Sequence, residues 1–290
     1  MKLLSLGAGV QSTTALLLSI EGTLPKLDGA IFADTGWEPA AVYKHFERIS
    51  AAAAAAGIPV HRVSKGNLRD DMLSPTSRYA SVPYFVRNPD GSEGMGRRQC
   101  TSEYKLAPIN RKVRELLGAK APDFRRVPKG GHTEQWIGFS TDEIQRVSDG
   151  FQLSYITKRY PLLELDMSRK DCERFLAARG WSTTKSACIG CPYHGNVQWR
   201  NLRDHHPDEW ADAVEFDEAI RKRGERLNGE AYLHRSRLPL SIAPIDKVTR
   251  REWADRQYDA LDMIKDIEAE AGDPDGCSPY GCRSGMSVTA

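Results

Sequence analysis

The sequence predicts an α/β fold: a parallel sheet followed by a mainly helical, cysteine-bearing region. Short apolar runs alternate with helical periodicity through residues 1–63, and the first run turns through Gly7-Ala8-Gly9 directly into a helix. The order strand, helix, strand, helix, strand calls for right-handed crossovers, hence a parallel sheet.

Each element has a local reason. Residues 2–6 form a short apolar run, as a buried strand requires, and Ala15, Leu16, Leu17, Leu18 and Ile20 give a helix over 11–21. Residues 29–33 are a second strand that ends at Asp34-Thr35-Gly36. Pro39 suits a first helical position, Val42, Phe46, Ile49 and Ala53 repeat at helical spacing, and Gly57 stops the helix. The alanines at 51–56 are helix filler, and 58–63 is a third strand. Periodicity lapses over 65–98, which reads as a substrate-side flap or a surface insertion, with Asn88-Pro89-Asp90-Gly91 as a tight hairpin tip. A helix over 109–117 closes at Gly118, and a strand over 134–140 leads into Asp142, Glu143 and Arg146. Ser168 with Asp171 is a capping box, opening a helix whose apolar face carries Cys172, Phe175 and Leu176. A helix over 207–224 packs Trp210, Val214 and Ile220. A last helix over 246–271 turns Trp253, Leu261, Ile264 and Ile267 inward, before a glycine-rich tail. The expected division is 1–165 for the α/β domain, flap included, and 166–290 for the helical region.

A net charge of +2 over 290 residues excludes a chain-wide polycation. Local clusters, Arg97-Arg98, Arg125-Arg126, Arg221-Lys222-Arg223 and Arg250-Arg251, can hold phosphates or serve as solvated faces. No run of 18 apolar residues occurs and no signal peptide precedes the first strand, so a cytoplasmic protein without a membrane span is expected. Cysteines stand at 100, 172, 188, 191, 277 and 282. In a reducing compartment their clustering points to a metal or redox centre rather than to disulfides.

The strand–glycine–helix turn is a phosphate cradle: glycines let backbone N–H groups face one point, and the helix N-terminus adds partial positive charge. Ser12, Thr13 and Thr14 add hydroxyls. No lysine follows Gly9, against an ordinary P-loop. The dinucleotide fingerprint is matched by Gly7, Gly9 and Asp34 but has Ser12 in place of its third glycine. A turn without a ligand is the bland alternative. Asp34 and Thr35 end a parallel strand, where ligands bind in open sheets; Asp34 suits a ribose hydroxyl, a metal or an amine, or a simple turn.

Cys188-Ile189-Gly190-Cys191 brings two thiols into one turn. Cys100, flanked by Arg98 and Lys105, supplies a third, and Cys277 or Cys282 a fourth. Four thiolates suit zinc or a [4Fe–4S] cluster, and His194, His205 or His206 would make a mixed zinc site. Cys172 is expected in the core. Arg146 is expected to clamp a phosphate or sulfate.

Several stretches together resemble the phosphoadenosine phosphosulfate (PAPS) reductase-like branch of the ATP pyrophosphatases, the PP-loop or adenine nucleotide α-hydrolase-like superfamily. They are residues 7–13, then Ala33-Asp34-Thr35-Gly36-Trp37-Glu38, then Gln99-Cys100-Thr101 with Tyr104-Lys105 and Pro108-Ile109, then Gly138-Phe139-Ser140 with Asp142, Glu143 and Arg146, then Ser186-Ala187-Cys188 with Cys191-Pro192. In the S-G-G-x-D-S loop, Gly7, Ala8 and Gln11 replace the first serine, the first glycine and the aspartate.

The resemblance implies a five-stranded parallel sheet with helices on both faces. It implies ATP or a sulfonucleotide, with or without Mg²⁺, held by Ser5, Gly7, Ala8, Gly9, Gln11, Ser12, Thr13, Asp34, Thr35, Gly138 and Glu143. It implies a [4Fe–4S] cluster, with zinc as the alternative, on Cys100, Cys188 and Cys191 with Cys277 or Cys282. Relatives include sulfonucleotide reductases, tRNA thiolases and enzymes that place sulfur in DNA. The first expectation is thus an ATP-using sulfur-transfer enzyme acting on tRNA, DNA or a small molecule, with a sulfur donor protein. The second is a sulfonucleotide reductase with a tail cysteine as nucleophile, Arg146 in the active site and an electron donor. The third is a non-catalytic nucleotide-binding partner with structural zinc. A homodimer fits any of them.

Overall fold

The computed structural model describes residues 1–74, 82–147, 153–182, 186–221, 229–250 and 252–257. Leu3, Leu4 and Leu6 are buried in β1 (Lys2–Leu6), and the chain turns at 7–9 into α1 (Val10–Ile20). There follow β2 (Gly29–Asp34), α2 (Ala40–Ala55), β3 (Val60–Ser64), α3 (Leu68–Leu73) and the strands β4 (Phe85–Arg87) and β5 (Glu93–Met95). A π-helical turn, Thr101–Leu106, runs into α4 (Ala107–Leu116). Then come β6 (Thr133–Ile137), a 3-10 turn (Thr141–Arg146), β7 (Ile156–Arg159), α5 (Pro161–Glu164), α6 (Arg169–Ala177), α7 (Asn196–His205), α8 (Pro207–Arg221) and β8 (Glu230–Tyr232).

The main sheet has five strands in the order β3-β2-β1-β6-β7, every neighbouring pair parallel. Leu4 is opposite Ala30 on one side and Trp136 on the other. All six residues of β2 are buried, as expected where helices cover both faces of a parallel strand. Alternate residues of each strand serve opposite faces. Leu4, Leu6, Ala30 and Phe32 pack with Leu16, Val42, Phe46, Cys172 and Leu176 of α1, α2 and α6. Leu3 and Ile31 pack with Val113 of α4. The chain winds outward from β1 to β3 and then returns to place β6 on the other side of β1. Open α/β sheets hold their ligands in the crevice outside the carboxyl ends at such a reversal, here between β1 and β6.

A second core lies beyond the carboxyl ends of β2 and β3. It gathers Trp37, Leu68, Met72, Tyr84, Tyr104, Trp199 and Phe216. The described residues of the 65–98 segment pack into this second core. Asn67 caps α3 through its side chain, which accepts from the N–H groups of Arg69 and Asp70. Leu68, Met72, Val82 and Tyr84 are buried, and β4 and β5 pair across the Asn88–Gly91 tip. β8 adds a third antiparallel strand beside β4.

The sequence reading did not anticipate β7, α7 or β8. β7 is an edge strand with one apolar residue in Ile-Thr-Lys-Arg, and edges need no apolar run. In α7 only Trp199 and Leu202 among its apolar residues are buried, and its start is held by the Gln198 side chain accepting from the Gly195 N–H at 2.7 Å. β8 has three residues. The last helix is present at 250 and 252–257, and Trp253 there is 56% exposed rather than turned inward. Its remainder, with Leu261, Ile264 and Ile267, lies outside the described residues, as does the tail with Cys277 and Cys282.

Candidate functional site

The turn after β1 aims two backbone donors at one point. The N–H groups of Gly7 and Gly9 both donate to Ser12 Oγ, at 3.2 and 3.3 Å. The hydroxyl of α1's own first turn thus accepts both donors. Ala8, buried between them, has φ +52°, left-handed backbone that costs a non-glycine residue roughly 1–2 kcal/mol. Backbone strain of this kind concentrates at binding turns.

The end of β6 closes one side. A Cβ on Gly138 would lie 3.1 Å from Ser12 N and 3.2 Å from Gln11 C and Ser12 Cα, so any side chain there would push on the backbone of α1's first turn. Gln11 reaches across, its Nε2 donating to Glu143 Oε2 at 3.2 Å and to Ser140 Oγ at 3.5 Å. Arg146 pairs with Glu143 Oε1, and its guanidinium lies 4.4 Å from the centre of the Phe139 ring. Arg146 is therefore at the cradle's rim, held by the acid that holds Gln11.

Other expected residues face elsewhere. Ser5 Oγ accepts from Gln135 Nε2 at 2.8 Å within the sheet. Thr13 is fully buried, its hydroxyl 3.0 Å from His45 Nε2, on the core side of α1. Asp34 is saturated: Oδ1 accepts from the Gly36 N–H and the Tyr43 hydroxyl at 2.8 and 2.9 Å, and Oδ2 from Arg62 Nε and Nη2 at 3.0 and 2.6 Å. Burial works to raise its pKa, but those bonds outweigh it and hold the carboxyl below its usual range. Burial and then Asp34 push the Tyr43 hydroxyl up to about 12.

The opposite side of the crevice carries sulfur. Ser186 donates its hydroxyl to the Gly7 carbonyl, tying the segment before Cys188 to the cradle. The Ile189 N–H donates to the Trp37 carbonyl at 3.0 Å, and the turn closes through Cys191 N–H to Cys188 O at 3.1 Å. A Cβ on Gly190 would come within 2.0 Å of the Trp37 ring, so the turn needs glycine there to lie flat on the indole. Cys188 Sγ is 3.2 Å from Thr35 Oγ1 and 3.5 Å from Glu38 Oε1.

Glu38 is buried, its Oε1 accepting from Thr35 Oγ1 at 3.1 Å and standing 3.7 Å from Lys105 Nζ, while its Oε2 has no hydrogen-bond partner. Burial opposes the Lys105 charge, yet Glu38, Cys188, Cys191 and Cys100 together hold its pKa above the ordinary value. Burial, with Glu38, pushes the Cys188 thiol up against the pull of Lys105 and Thr35. The Lys105 side chain is 37% exposed, and three cysteines are near enough to act on its charge. Cys172 is fully buried in the first core, far in character from this centre, and burial pushes its thiol up to about 11. His194 is turned inward, its Nε2 3.0 Å from the Cys188 carbonyl.

Solved structures similar to this chain include a reductase and a thiolase. A phosphoadenylyl-sulfate reductase from Candida auris, in a phosphate complex, has 16% identity and a TM-score of 0.41, over 63% of this chain and 74% of its own. The U34-tRNA thiolase NcsA of Methanococcus maripaludis, with its [4Fe–4S] cluster, has 11% identity and a TM-score of 0.37, over 75% of this chain and 70% of its own. No protein-family model and no curated protein sequence matches. The likenesses are distant, and what those proteins bind is theirs.

The donor chemistry at the sulfur centre, three soft thiols with a cation to balance thiolate charge, fits a thiophilic metal or cluster. Among the described residues, no three His, Cys, Asp or Glu side chains are gathered so as to hold an ion as they stand. Sequence reasoning missed Ser186, Glu38 and Lys105 as site residues. For Lys105 and Glu38 the signal was present, a basic flank to Cys100 and an acid two residues after the strand-end Gly36; Ser186 stands in the stretch before Cys188 that carries the resemblance.

Proposed function

We propose that this chain is a PP-loop-type nucleotide enzyme that joins ATP chemistry to sulfur chemistry in one crevice. The observation that carries the reading is the hydrogen bond from Ser186 to the Gly7 carbonyl, which fixes the cysteine turn against the phosphate cradle. In the reaction, a substrate oxygen attacks the α-phosphorus of ATP. The O–P bond forms as the bond to the bridging oxygen breaks, and pyrophosphate leaves. The Gly7 and Gly9 N–H groups, released from Ser12, donate to the phosphates, and the α1 N-terminus stabilises the leaving charge. A sulfide sulfur from a donor protein then bonds to the activated carbon, and AMP departs with the carbon's former oxygen. Gln11, Ser140 and Glu143 order the loop, and Arg146 lies at the rim to pair with phosphate.

Cys100, Cys188 and Cys191 are the residues that would hold a [4Fe–4S] cluster, or zinc in its place, with Cys277 or Cys282 as further ligand. Bound there, the group supplies a soft electrophilic centre. Lys105 balances its thiolates, and Glu38 orients Lys105.

The test is pyrophosphate release from ATP with RNA, DNA or small-molecule acceptors added in turn. Acceptor-dependent release, abolished in Gly7→Val, is the expected result. A second reading, sulfonucleotide reduction, is favoured by the same thiol–ammonium centre. Sulfite release from a sulfonucleotide with thioredoxin, without pyrophosphate release from ATP, would replace the first reading with the second.

A further inference from the structure

The end of the sheet opposite the cradle carries a basic cleft that the nucleotide reading does not use. The loop between α4 and β6 and the residues just before β7 line an open cleft of ≈ 610 Å³, with Arg125, Arg126, Lys129, His132 and Tyr155 in its walls. An adjoining cleft continues it to Lys120. His132 immediately precedes β6 and Tyr155 immediately precedes β7, so the cleft is at the amino ends of these parallel strands.

Across residues 118–132, four cations, Lys120, Arg125, Arg126 and Lys129, stand against the single acid Asp123. That excess contrasts with a net +2 for the whole chain. All four cations are exposed. Among the described residues, only Arg125 of the four has an acid partner, Asp123 at 3.2 Å, and both members are largely exposed, so the pair is weak and exchangeable.

The loop is built rather than loose. Arg114 Nε donates to the Phe124 carbonyl at 2.5 Å and its Nη1 to the Tyr155 hydroxyl at 3.3 Å. Arg111 Nη2 donates to the Pro122 carbonyl at 3.3 Å, and the Gly131 N–H to the Pro128 carbonyl at 3.0 Å. His132 Nε2 is 3.0 Å from Thr157 Oγ1 of β7. Two arginines of α4 thus shape the loop from behind while its own cations face outward.

We propose that this cleft docks the sugar–phosphate backbone of a nucleic acid. A small anion needs donors that converge on one point, and these cations are instead spread along an open trough. A chain of regularly spaced phosphates meets such a trough with several contacts at once. The cleft is also roughly 17 Å from the cradle, the length of a five-residue strand at about 3.3 Å per residue. Its occupant is therefore a macromolecule held apart from the chemistry. The inference does not depend on the reading of the cradle.

The test is fluorescence anisotropy with a labelled RNA duplex and a labelled DNA duplex of one sequence, at 50 and 200 mM salt. For the DNA duplex, three phosphate contacts would weaken binding on the order of 40-fold over that range. The combined Arg125→Glu, Arg126→Glu and Lys129→Glu variant should lose at least tenfold in affinity and flatten the salt dependence. Lys44→Glu, an exposed cation on α2, should change neither; circular dichroism confirms that both variants are folded. Binding of either duplex with this pattern supports the cleft, and the tighter one identifies the preferred sugar. No binding by the wild type, an unchanged triple variant, or an equal loss in Lys44→Glu would overturn it.

Discussion

Gly138 shows how one residue serves both packing and site. Its missing Cβ lets the end of β6 lie against the backbone of Gln11 and Ser12. Gly138→Ala should destabilise the protein by about 1–3 kcal/mol in urea unfolding, because the obstructing atoms are backbone, and should weaken ATP binding in calorimetry by displacing the cradle. His234 supplies a pH dependence. It is buried between Asn196 Oδ1 at 3.1 Å and Ser236 Oγ at 2.8 Å, and burial, with Arg235, lowers its pKa to about 4 from 6.5. The unfolded chain therefore binds the proton more readily. The contribution is intact above pH 6.5 and is lost as pH falls towards 4, on the order of 3 kcal/mol in all. Chemical denaturation at pH 7, 5.5 and 4.5 should show that slope, and His234→Asn should flatten it. Cys172, with its thiol pushed up to about 11 by burial, should stay unlabelled by iodoacetamide in native protein at pH 8, as mass spectrometry would show. Cys172 was legible in the sequence, since it falls on the apolar face of a capped helix. Asp34 was not: its partner Arg62 comes from the next strand, and only pairing in the sheet brings them together.

Among elements, the parallel strands β1, β2 and β3 with their helices were legible because each carries its own apolar period. β7 and β8 were not, because a charged edge strand and a three-residue strand owe their place to a neighbour rather than to their own composition. The π-helical turn after Cys100 had no periodic signal either, yet it brings Tyr104 into the second core, where its hydroxyl donates to Asp71 Oδ2 at 2.5 Å, and Lys105 towards Glu38. The cysteine turn is legible from its spacing, but the need for its glycine comes from Trp37, which lies beneath it. Gly190→Ala must move the indole, which also donates to Asp212 Oδ2 at 2.5 Å. Thermal unfolding should show a loss of about 1–3 kcal/mol or more. An unchanged midpoint would mean that the turn does not rest on Trp37.

At the scale of the molecule, two cores meet at the crevice outside the carboxyl ends of the sheet. One side offers backbone donors at a helix N-terminus, the other a buried carboxylate, an ammonium and thiols. The chain order strand–glycine–helix made the first side legible; the second is assembled from residues 35–38, 100–105 and 186–191, and only the fold joins them. The central claim is that these halves act on one nucleotide. A crystal structure with an ATP analogue carrying a methylene between its α- and β-phosphates tests it most directly. The account predicts phosphate oxygens accepting from the Gly7 and Gly9 N–H groups, Ser12 Oγ displaced from that point, and Cys188 in the same crevice. A nucleotide bound elsewhere, with Ser12 still accepting both N–H groups, would contradict it.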